Sequence, residues 1–468
     1  AMARVASRSR SRSRGSRGSC GARTTRRSQV GDLEISICLP SGRCATLSIS
    51  STSTVEVLKR QALDALGLGG SLKLLDPDGS VLQPGKSLEK AGLRSGLTLT
   101  AVVDPIRLAS TRRAFAAWRH GGGVVFWGDA GHVQRIQQQL RNVRMVLGSD
   151  SSFTAILEDG EVVAWGNPNS RLISYNHERM RTVQQIRASD YAFAAVLSDQ
   201  SVITWGHHSF GGNSSSVQDQ LKNVLDVVSS QRAFAAMKSD GSVVTWGDPN
   251  SGGDSSKVQH QLRRVQKVVS SYDAFAAILL DGSVVTWGDG GSGGDSCQVH
   301  LRSVREIAAS GAAFAAILAD GRVETWGDDR YGGDCSSVKA QLLDVQTICG
   351  SAGAFAALRC GGSVVTWGGA DYGADSSRVQ GQLKKVQQIH STFHAFAAIL
   401  ENGSVVCWGD ADSGGDCSSV SDQLVDVLHI SSTGGAFAAA LKDGSVITWG
   451  NPEYGGDSSS VQHLIRCL

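Results

Sequence analysis

A Trp-Gly pair that recurs at an almost constant interval constrains this chain more than any other feature. Successive tryptophans of these pairs are 38 to 41 residues apart, and a phenylalanine precedes each of them by 12 residues. The nine pairs are Phe115/Trp127, Phe153/Trp165, Phe193/Trp205, Phe234/Trp246, Phe275/Trp287, Phe314/Trp326, Phe355/Trp367, Phe396/Trp408 and Phe437/Trp449. A fixed spacing between two large apolar residues indicates a rigid unit, and tandem copies of one unit predict a repeat architecture.

Each repeat predicts three β-strands. In the unit of Trp287, the apolar segment 274–279 reaches Asp281-Gly282, a dipeptide that favours a hairpin turn with positive φ. The segment 283–287 then returns, and 265–269 supplies a strand before the hairpin. Such units cannot bury both faces alone. The predicted fold is therefore mainly β, a β-propeller of three-stranded units of which we count nine.

Residues 30–104 predict a small α+β domain. Apolar residues alternate over 33–39 and 45–49, as in two strands of a hairpin. Ser53 and Glu56 have the spacing of a capping box at the start of a helix that runs to about residue 66. A short strand at 72–74 and an alternating strand at 97–103 follow. Hairpin, helix, short strand and last strand is the order of a β-grasp fold.

Both regions resemble known families. The motif Asp-Gly-Ser-Val-Val-Thr-Trp-Gly-Asp-x-x-x-Gly-Gly is similar to the repeat of the regulator of chromosome condensation family, and its short form to compact bacterial propellers of that superfamily. That family usually closes at seven blades, so nine units leave two possibilities, a larger ring or seven regular blades with two packed extras. The segments 54–59 and 87–99 resemble ubiquitin-like domains. The chain departs from ubiquitin by continuing through Val103-Asp104-Pro105 without a terminal Gly-Gly, and by Pro40 in the first turn, so conjugation and ordinary patch binding are not expected.

The charge is distributed unevenly. Nine arginines and no acidic residue lie within residues 1–27, which leaves the rest of the chain with a formal charge of −7. A nucleic-acid-binding body is therefore not expected. We predict that residues 1–29 form a disordered Arg/Ser-rich tail, that 30–104 is the ubiquitin-like domain, and that 105–468 is the propeller. The tail could be a solvated basic arm, an RNA-binding arm or an organelle transit peptide.

Cysteine usage and hydropathy bear on location. The ten cysteines include no C-x-x-C pair and no zinc spacing, so we expect reduced thiols. No run of 18 apolar residues occurs, and no secretory signal is visible. These patterns predict an intracellular protein, cytoplasmic or nuclear, without a membrane partner.

One acidic position recurs in the repeats. An aspartate stands eight residues after the tryptophan in most regular units, with Asn213 in the third unit. A ring would place these residues at equivalent positions on one face, as a candidate docking surface for a basic partner or for cations: Asp254, Asp295, Asp334, Asp375, Asp416 and Asp457. The alternative is structural, because Asp-Ser-Ser suits the N-cap of a short helix.

No motif of an enzyme is present, so we expect no catalytic residue, cofactor or metal. The sequence favours a non-enzymatic scaffold for protein–protein interaction. The resemblance implies two alternatives. One is a role in the ubiquitin ligase pathway. Because the array runs to residues 467–468 and we expect no ligase domain, the chain would act there only as an adaptor or fragment. The other is guanine-nucleotide exchange on a small GTPase.

Overall fold

A computed structural model describes residues 32–39, 42–66, 72–129, 136–166, 182–466 and 468. The predicted Arg/Ser tail and Pro40 lie outside the described residues.

The first part of the described chain is a four-stranded sheet with one helix. Its elements are β1 (Asp32–Cys38), β2 (Cys44–Ser50), α1 (Val55–Leu66), β3 (Leu72–Leu75) and β4 (Leu97–Val103). The strand order is β2-β1-β4-β3, with β1 and β4 parallel and the other neighbours antiparallel. This is the predicted β-grasp.

Helix α1 packs one apolar face on that sheet. Val55, Leu58, Ala62 and Leu66 are buried at the helical spacing read from the sequence. The hydroxyl of Thr54 accepts a hydrogen bond from the backbone N–H of Val57 at 3.4 Å. The cap is thus one residue later than the predicted Ser53, since the helix begins at Val55.

A disulfide closes the first hairpin. Cys38 and Cys44 are directly opposite each other in the β1–β2 register and are joined by a disulfide bond. The expectation of reduced cysteines is wrong for this pair, because the hairpin brings together two residues that are only six apart in sequence. The intracellular location, which was predicted partly from the cysteines, stays a prediction.

Within the described residues, nine three-stranded antiparallel sheets follow, one for each predicted repeat. We call them blades 1 to 9 and name their strands inner, middle and outer. The inner strands are Arg107–Ser110, Val143–Gly148, Val183–Ala188, Val224–Ser229, Val265–Ser270, Val304–Ala309, Val345–Gly350, Val386–Ser391 and Val427–Ser432. The middle strands are Ala114–Trp118, Ser152–Leu157, Ala192–Leu197, Ala233–Lys238, Ala274–Leu279, Ala313–Leu318, Ala354–Arg359, Ala395–Leu400 and Ala436–Leu441. The outer strands are Val124–Gly128, Val162–Gly166, Val202–Gly206, Val243–Gly247, Val284–Gly288, Val323–Gly327, Val364–Gly368, Val405–Gly409 and Val446–Gly450.

Short helices connect the blades. A helix α2 (Gln462–Arg466) ends the array. The 3-10 helices are His208–Phe210, Gln218–Gln220, Pro249–Ser251, Gly290–Ser292, Asp329–Tyr331, Lys339–Gln341, Ala370–Tyr372, Ala411–Ser413, Ser418–Gln423, Pro452–Tyr454 and Ser459–Val461. The helical spacing of Val217, Leu221 and Val224 produces only a single 3-10 turn, because Val224 already begins an inner strand.

The recurring phenylalanine and tryptophan form the core of every blade. In blade 4, Phe234 and Trp246 are directly opposite on adjacent strands, and their rings stack with centroids 5.2 Å apart. The same stack occurs in all nine blades at 5.2–5.4 Å. The indole N–H of Trp246 donates to the carbonyl oxygen of Gly211 in the preceding blade at 2.9 Å. One residue therefore serves both the blade core and the joint between blades.

Blade 9 packs against blade 1, so the ring is closed. The indole N–H of Trp127 donates to the carbonyl oxygen of Gly455 at 3.0 Å, the counterpart of the bond between Trp246 and Gly211. The Ser110 hydroxyl also donates to the carbonyl oxygen of Ser432 at 2.5 Å. The predicted propeller is confirmed, and the described residues form nine blades where the resemblance implied seven.

Candidate interaction surfaces

Two sets of loops meet at one end of the sheets, which we call the loop end. In blade 4, Ala233 at the start of the middle strand pairs with Gly247 at the end of the outer strand, so the loops on either side leave the sheet together. The Ser230 hydroxyl in the first loop donates to the carbonyl oxygen of Ser251 in the second at 2.8 Å. Equivalent bonds occur in six other blades. The Asp-Gly hairpins lie at the opposite end, the turn end.

All six predicted docking residues are exposed and lie in the loops that follow the outer strands: Asp254, Asp295, Asp334, Asp375, Asp416 and Asp457. Each carboxylate accepts a hydrogen bond from the backbone N–H two residues later, at 2.8 or 2.9 Å. This is an Asx turn, which the short polar side chain stabilises locally. The carboxylates therefore hold the turn that precedes the helical segment and do not cap the helix itself.

These hydrogen bonds keep the loop carboxylates ionised. The backbone donor two residues on lowers the pKa of Asp254, Asp295, Asp416 and Asp457 below its usual value. The pKa of Asp375 is lowered by hydrogen bonds from Ser377. An acceptor with fixed N–H partners is stabilised in its charged form. The turns thus display negative charge at neutral pH.

The loops after the outer strands are acidic as a set. In blades 3 to 9 they span 207–213, 248–254, 289–295, 328–334, 369–375, 410–416 and 451–457, and together contain fourteen acidic residues and one arginine. That arginine, Arg330, pairs with Asp328 of its own loop at 2.7 Å. The loop end therefore carries a large excess of negative charge.

Neighbouring loops are separated by grooves. The groove between the loops of blades 7 and 8 encloses about 750 Å³ and is lined by Asp371, Asp375, Asp410 and Asp416, with Arg378 as its basic residue. A groove of this size and sign can accept a cationic side chain of a partner.

A channel of about 500 Å³ runs along the propeller axis and is lined by residues of all nine blades. Each blade contributes the residue three positions before its core phenylalanine, which we call the channel position. The nine channel positions are Arg112, Asp150, Asp190, Gln231, Tyr272, Gly311, Ala352, Phe393 and Gly434. The channel wall is therefore charged or polar on the side of blades 1 to 5 and apolar on the side of blades 6 to 9.

Backbone hydrogen bonds join the channel positions into a ring. In eight of the nine joints among the described residues, the N–H of one channel position donates to the carbonyl oxygen of the next at 2.8–3.2 Å. The exception is the joint between Asp150 and Asp190. At that joint the Asp190 carbonyl oxygen makes no hydrogen bond to the described residues.

Some side chains that line the channel have shifted pKa values. Arg112 lies 3.9 Å from the Asp150 carboxylate and 5.1 Å from the centre of the Phe393 ring. Burial, reinforced by the nearby charge of Asp150, raises the pKa of Asp190 to about 7. Burial likewise raises the pKa of Tyr272 to about 12. A carboxyl with its pKa near neutrality is typical of a functional site.

The channel positions were not predicted from the sequence. Their signal is visible only when the repeats are aligned on the core phenylalanine. The position before each is always serine or threonine, while the channel position takes seven different residue types in nine blades. Variation at one position of an otherwise uniform repeat could have identified them.

Two further properties concern the described residues. None of their helices is long and apolar enough to cross a bilayer. They also contain no group of three or more His, Cys, Asp or Glu side chains placed to hold a metal ion.

The chain is similar to solved propellers and ubiquitin-like proteins. No family model and no curated protein matches it. Yeast RCC1 (Prp20), in its complex with Kap60, is 16% identical with a TM-score of 0.39 over 72% of this chain and 89% of that chain. Prp20p from Saccharomyces cerevisiae, described with its binding properties to Gsp1p and histones, is 16% identical with a TM-score of 0.38 over 66% and 82%. Caldiarchaeum subterraneum ubiquitin is 20% identical with a TM-score of 0.15 over 16% and 94%.

Proposed function

We propose that this chain is a non-enzymatic scaffold for protein–protein interaction whose loop end docks a basic protein partner. The proposal treats residues 105–468 as the docking domain and 30–104 as a second contact. The observation that carries it is the charge of the loops after the outer strands, with fourteen acidic residues against one arginine. An excess of one sign over a whole face steers an oppositely charged partner toward it.

The repeats themselves supply a way to remove this charge without disturbing the fold. Asn213 occupies the position of the loop aspartates in blade 3 and accepts the same hydrogen bond, from the N–H of Ser215 at 3.0 Å. Asparagine therefore forms the same Asx turn as aspartate there. Changing aspartate to asparagine at this position removes the charge and keeps the turn.

The turn end provides the matched control. Asp240 accepts from the N–H of Ser242 at 2.9 Å, and Asn402 makes the equivalent bond to Ser404 at 3.1 Å in blade 8. Four such turn residues give a set that changes the net charge equally at the opposite end: Asp240, Asp281, Asp320 and Asp443.

The test compares two variants of the full chain, each with four substitutions. The loop set is Asp254→Asn, Asp295→Asn, Asp375→Asn and Asp416→Asn, and the turn set is Asp240→Asn, Asp281→Asn, Asp320→Asn and Asp443→Asn. We expect the loop set to weaken binding of poly-L-lysine at least tenfold and to reduce its salt dependence, with the turn set near wild type. Equal weakening by both sets would show an effect of net charge alone and would refute a docking face at the loop end.

A role as a ubiquitin-pathway adaptor is the second candidate, supported by the β-grasp fold of 30–104. The sheet face turned away from α1 is polar, with exposed Glu34, Thr46, Ser48 and Thr98. The Ser36 and Thr46 hydroxyls hydrogen-bond across the strands at 3.1 Å. A partner would contact this face through hydrogen bonds and not through an apolar patch. Guanine-nucleotide exchange is the remaining alternative. It would be favoured if the full chain retained a small GTPase in a nucleotide-sensitive way.

A further inference from the structure

The joint between blades 2 and 3 concentrates hydrogen-bond acceptors inside the axial channel. Asp150 and Asp190 occupy successive channel positions there, and the Asp190 carbonyl oxygen is outside the backbone ring. The Asp190 carboxylate makes no hydrogen bond and no ion pair within 4.0 Å to any described residue. A half-buried carboxylate without a donor is costly to keep charged.

The charged groups that face Asp190 are Asp150, Arg232, Arg112 and Asp273. Two of them are basic, yet neither forms an ion pair with Asp190. Arg232 lies 3.8 Å from Asp248 and stacks over Phe210.

The other neighbours are engaged as well. Arg112 pairs with Asp150 and stacks over Phe393. Asp273 accepts a hydrogen bond from the Ser251 hydroxyl at 2.6 Å. Asp190 is therefore the one member of this group for which the described residues provide no partner.

We propose that the axial channel binds the ammonium group of a lysine side chain of a protein partner, with Asp190 and its carbonyl oxygen as the principal acceptors. The proposal rests on the proposed function and names the residue that anchors the basic partner. An ammonium group has three donors around one nitrogen, which suits a carboxylate and a carbonyl oxygen on the same residue. The aliphatic part of the side chain would contact the apolar wall at Ala352 and Phe393.

The probe is the acetylated and amidated peptide Gly-Gly-Lys-Gly-Gly, with the norleucine peptide as its uncharged control. Binding to the full chain is followed by an NMR titration at pH 8. We expect the lysine peptide to bind, the norleucine peptide not to bind, and Asp190→Asn to weaken binding at least tenfold. Asp190→Glu keeps the charge and should restore part of the affinity.

The pH dependence gives an independent readout. Asp190 must be ionised to hold the ammonium group, and its pKa is about 7. Affinity of the lysine peptide should therefore fall about tenfold from pH 8 to pH 6, since about a tenth of the carboxyl groups remain ionised one unit below the pKa. The residual binding of Asp190→Asn should not change over this range.

The loop set of four aspartate-to-asparagine changes separates this proposal from the proposed function. It should leave binding of the single-lysine peptide within twofold of wild type while weakening poly-L-lysine. Unchanged binding in Asp190→Asn, equal binding of the norleucine peptide, or no binding of the lysine peptide would each overturn the channel site. Loss of the peptide in the loop set alone would place lysine at the loops and overturn it too, with the docking face upheld.

Discussion

The backbone N–H of Gly434 donates a hydrogen bond to the carbonyl oxygen of Arg112 at 2.8 Å, joining the last blade to the first. Seven other joints of the channel ring are made by the same bond, at up to 3.2 Å. The closing joint is thus built like the joints inside the array. Closure gives each terminal blade a neighbour on both sides, as every internal blade has, whereas in a linear array each terminal blade has only one neighbour.

If closure is equivalent to an internal joint, Trp127→Phe and Trp287→Phe should destabilise the protein equally. Each removes an indole N–H that bonds a glycine carbonyl oxygen of the preceding blade, at Gly455 and Gly252. Leaving that buried oxygen without a donor costs about 1–3 kcal/mol. Thermal unfolding of both variants checks this. A negligible effect of Trp127→Phe beside a clear effect of Trp287→Phe would indicate an open array.

The loops after the outer strands should not tolerate alanine in place of the first of their two adjacent glycines. Gly252 has φ +88°, and a Cβ there would lie 2.5 Å from the Phe275 ring of the next blade. Both the backbone strain and the clash oppose the side chain, so we expect Gly252→Ala to cost more than about 2 kcal/mol. Gly381→Ala, where a Cβ meets no atom within 4 Å, is the control and should be neutral in the same denaturation experiment.

One variant should stabilise the protein. Arg264 adopts φ 58°, a left-handed conformation that long side chains rarely take. Asn223 occupies the equivalent position in the preceding blade with φ 57°, and asparagine tolerates this region better. We expect Arg264→Asn to raise the free energy of unfolding by about 0.5–1 kcal/mol. The reverse change, Asn223→Arg, should lower it by a similar amount, and a gain in stability there would contradict the argument.

Asp190 should make stability depend on pH in the direction opposite to an ordinary carboxylate. Its pKa in the folded protein is raised from 3.8 to about 7, mainly by burial, so the folded state binds a proton that the unfolded state releases between these values. Stability should therefore fall as pH rises from 4 to 7.

Asp190→Asn should remove this contribution and raise the melting temperature at pH 8 but not at pH 4. Half-buried His390, whose pKa is lowered by desolvation to about 4, acts in the opposite direction on acidification in both proteins. The difference between wild type and variant at each pH therefore isolates Asp190. A constant difference across the range would contradict the shifted pKa.

The core of each blade was predictable because it is local. A phenylalanine and a tryptophan 12 residues apart flank one hairpin, so strand pairing alone places Phe234 opposite Trp246. The spacing also fixed the number of repeats. The hairpin around Cys38 and Cys44 was predicted for the same reason, although its disulfide was not recognised.

The channel and the closure were not predictable because they depend on curvature summed over nine blades. Gly434 and Arg112 are neighbours only when every joint turns the chain by the required angle. Seen in one repeat, Asp190 is an ordinary polar residue in a loop before a strand. Its pKa is raised mainly by burial in the channel and is shifted further, up or down, by charges in blades 2, 4, 1 and 5, which no local pattern brings together. The docking role of Asp254 and its counterparts stays a prediction.

The channel wall is assembled from one side chain per blade, on a frame held by main-chain bonds. Changing such a side chain alters the lumen while the stacked rings and the joints between blades keep their partners. The frame and the channel wall are thus separable at the positions that already carry a side chain, whereas at Gly311 a Cβ would lie 2.6 Å from the carbonyl oxygen of Ala352. The side chains at the remaining channel positions thus set the shape and charge of the lumen, independently of the contacts that hold the blades together.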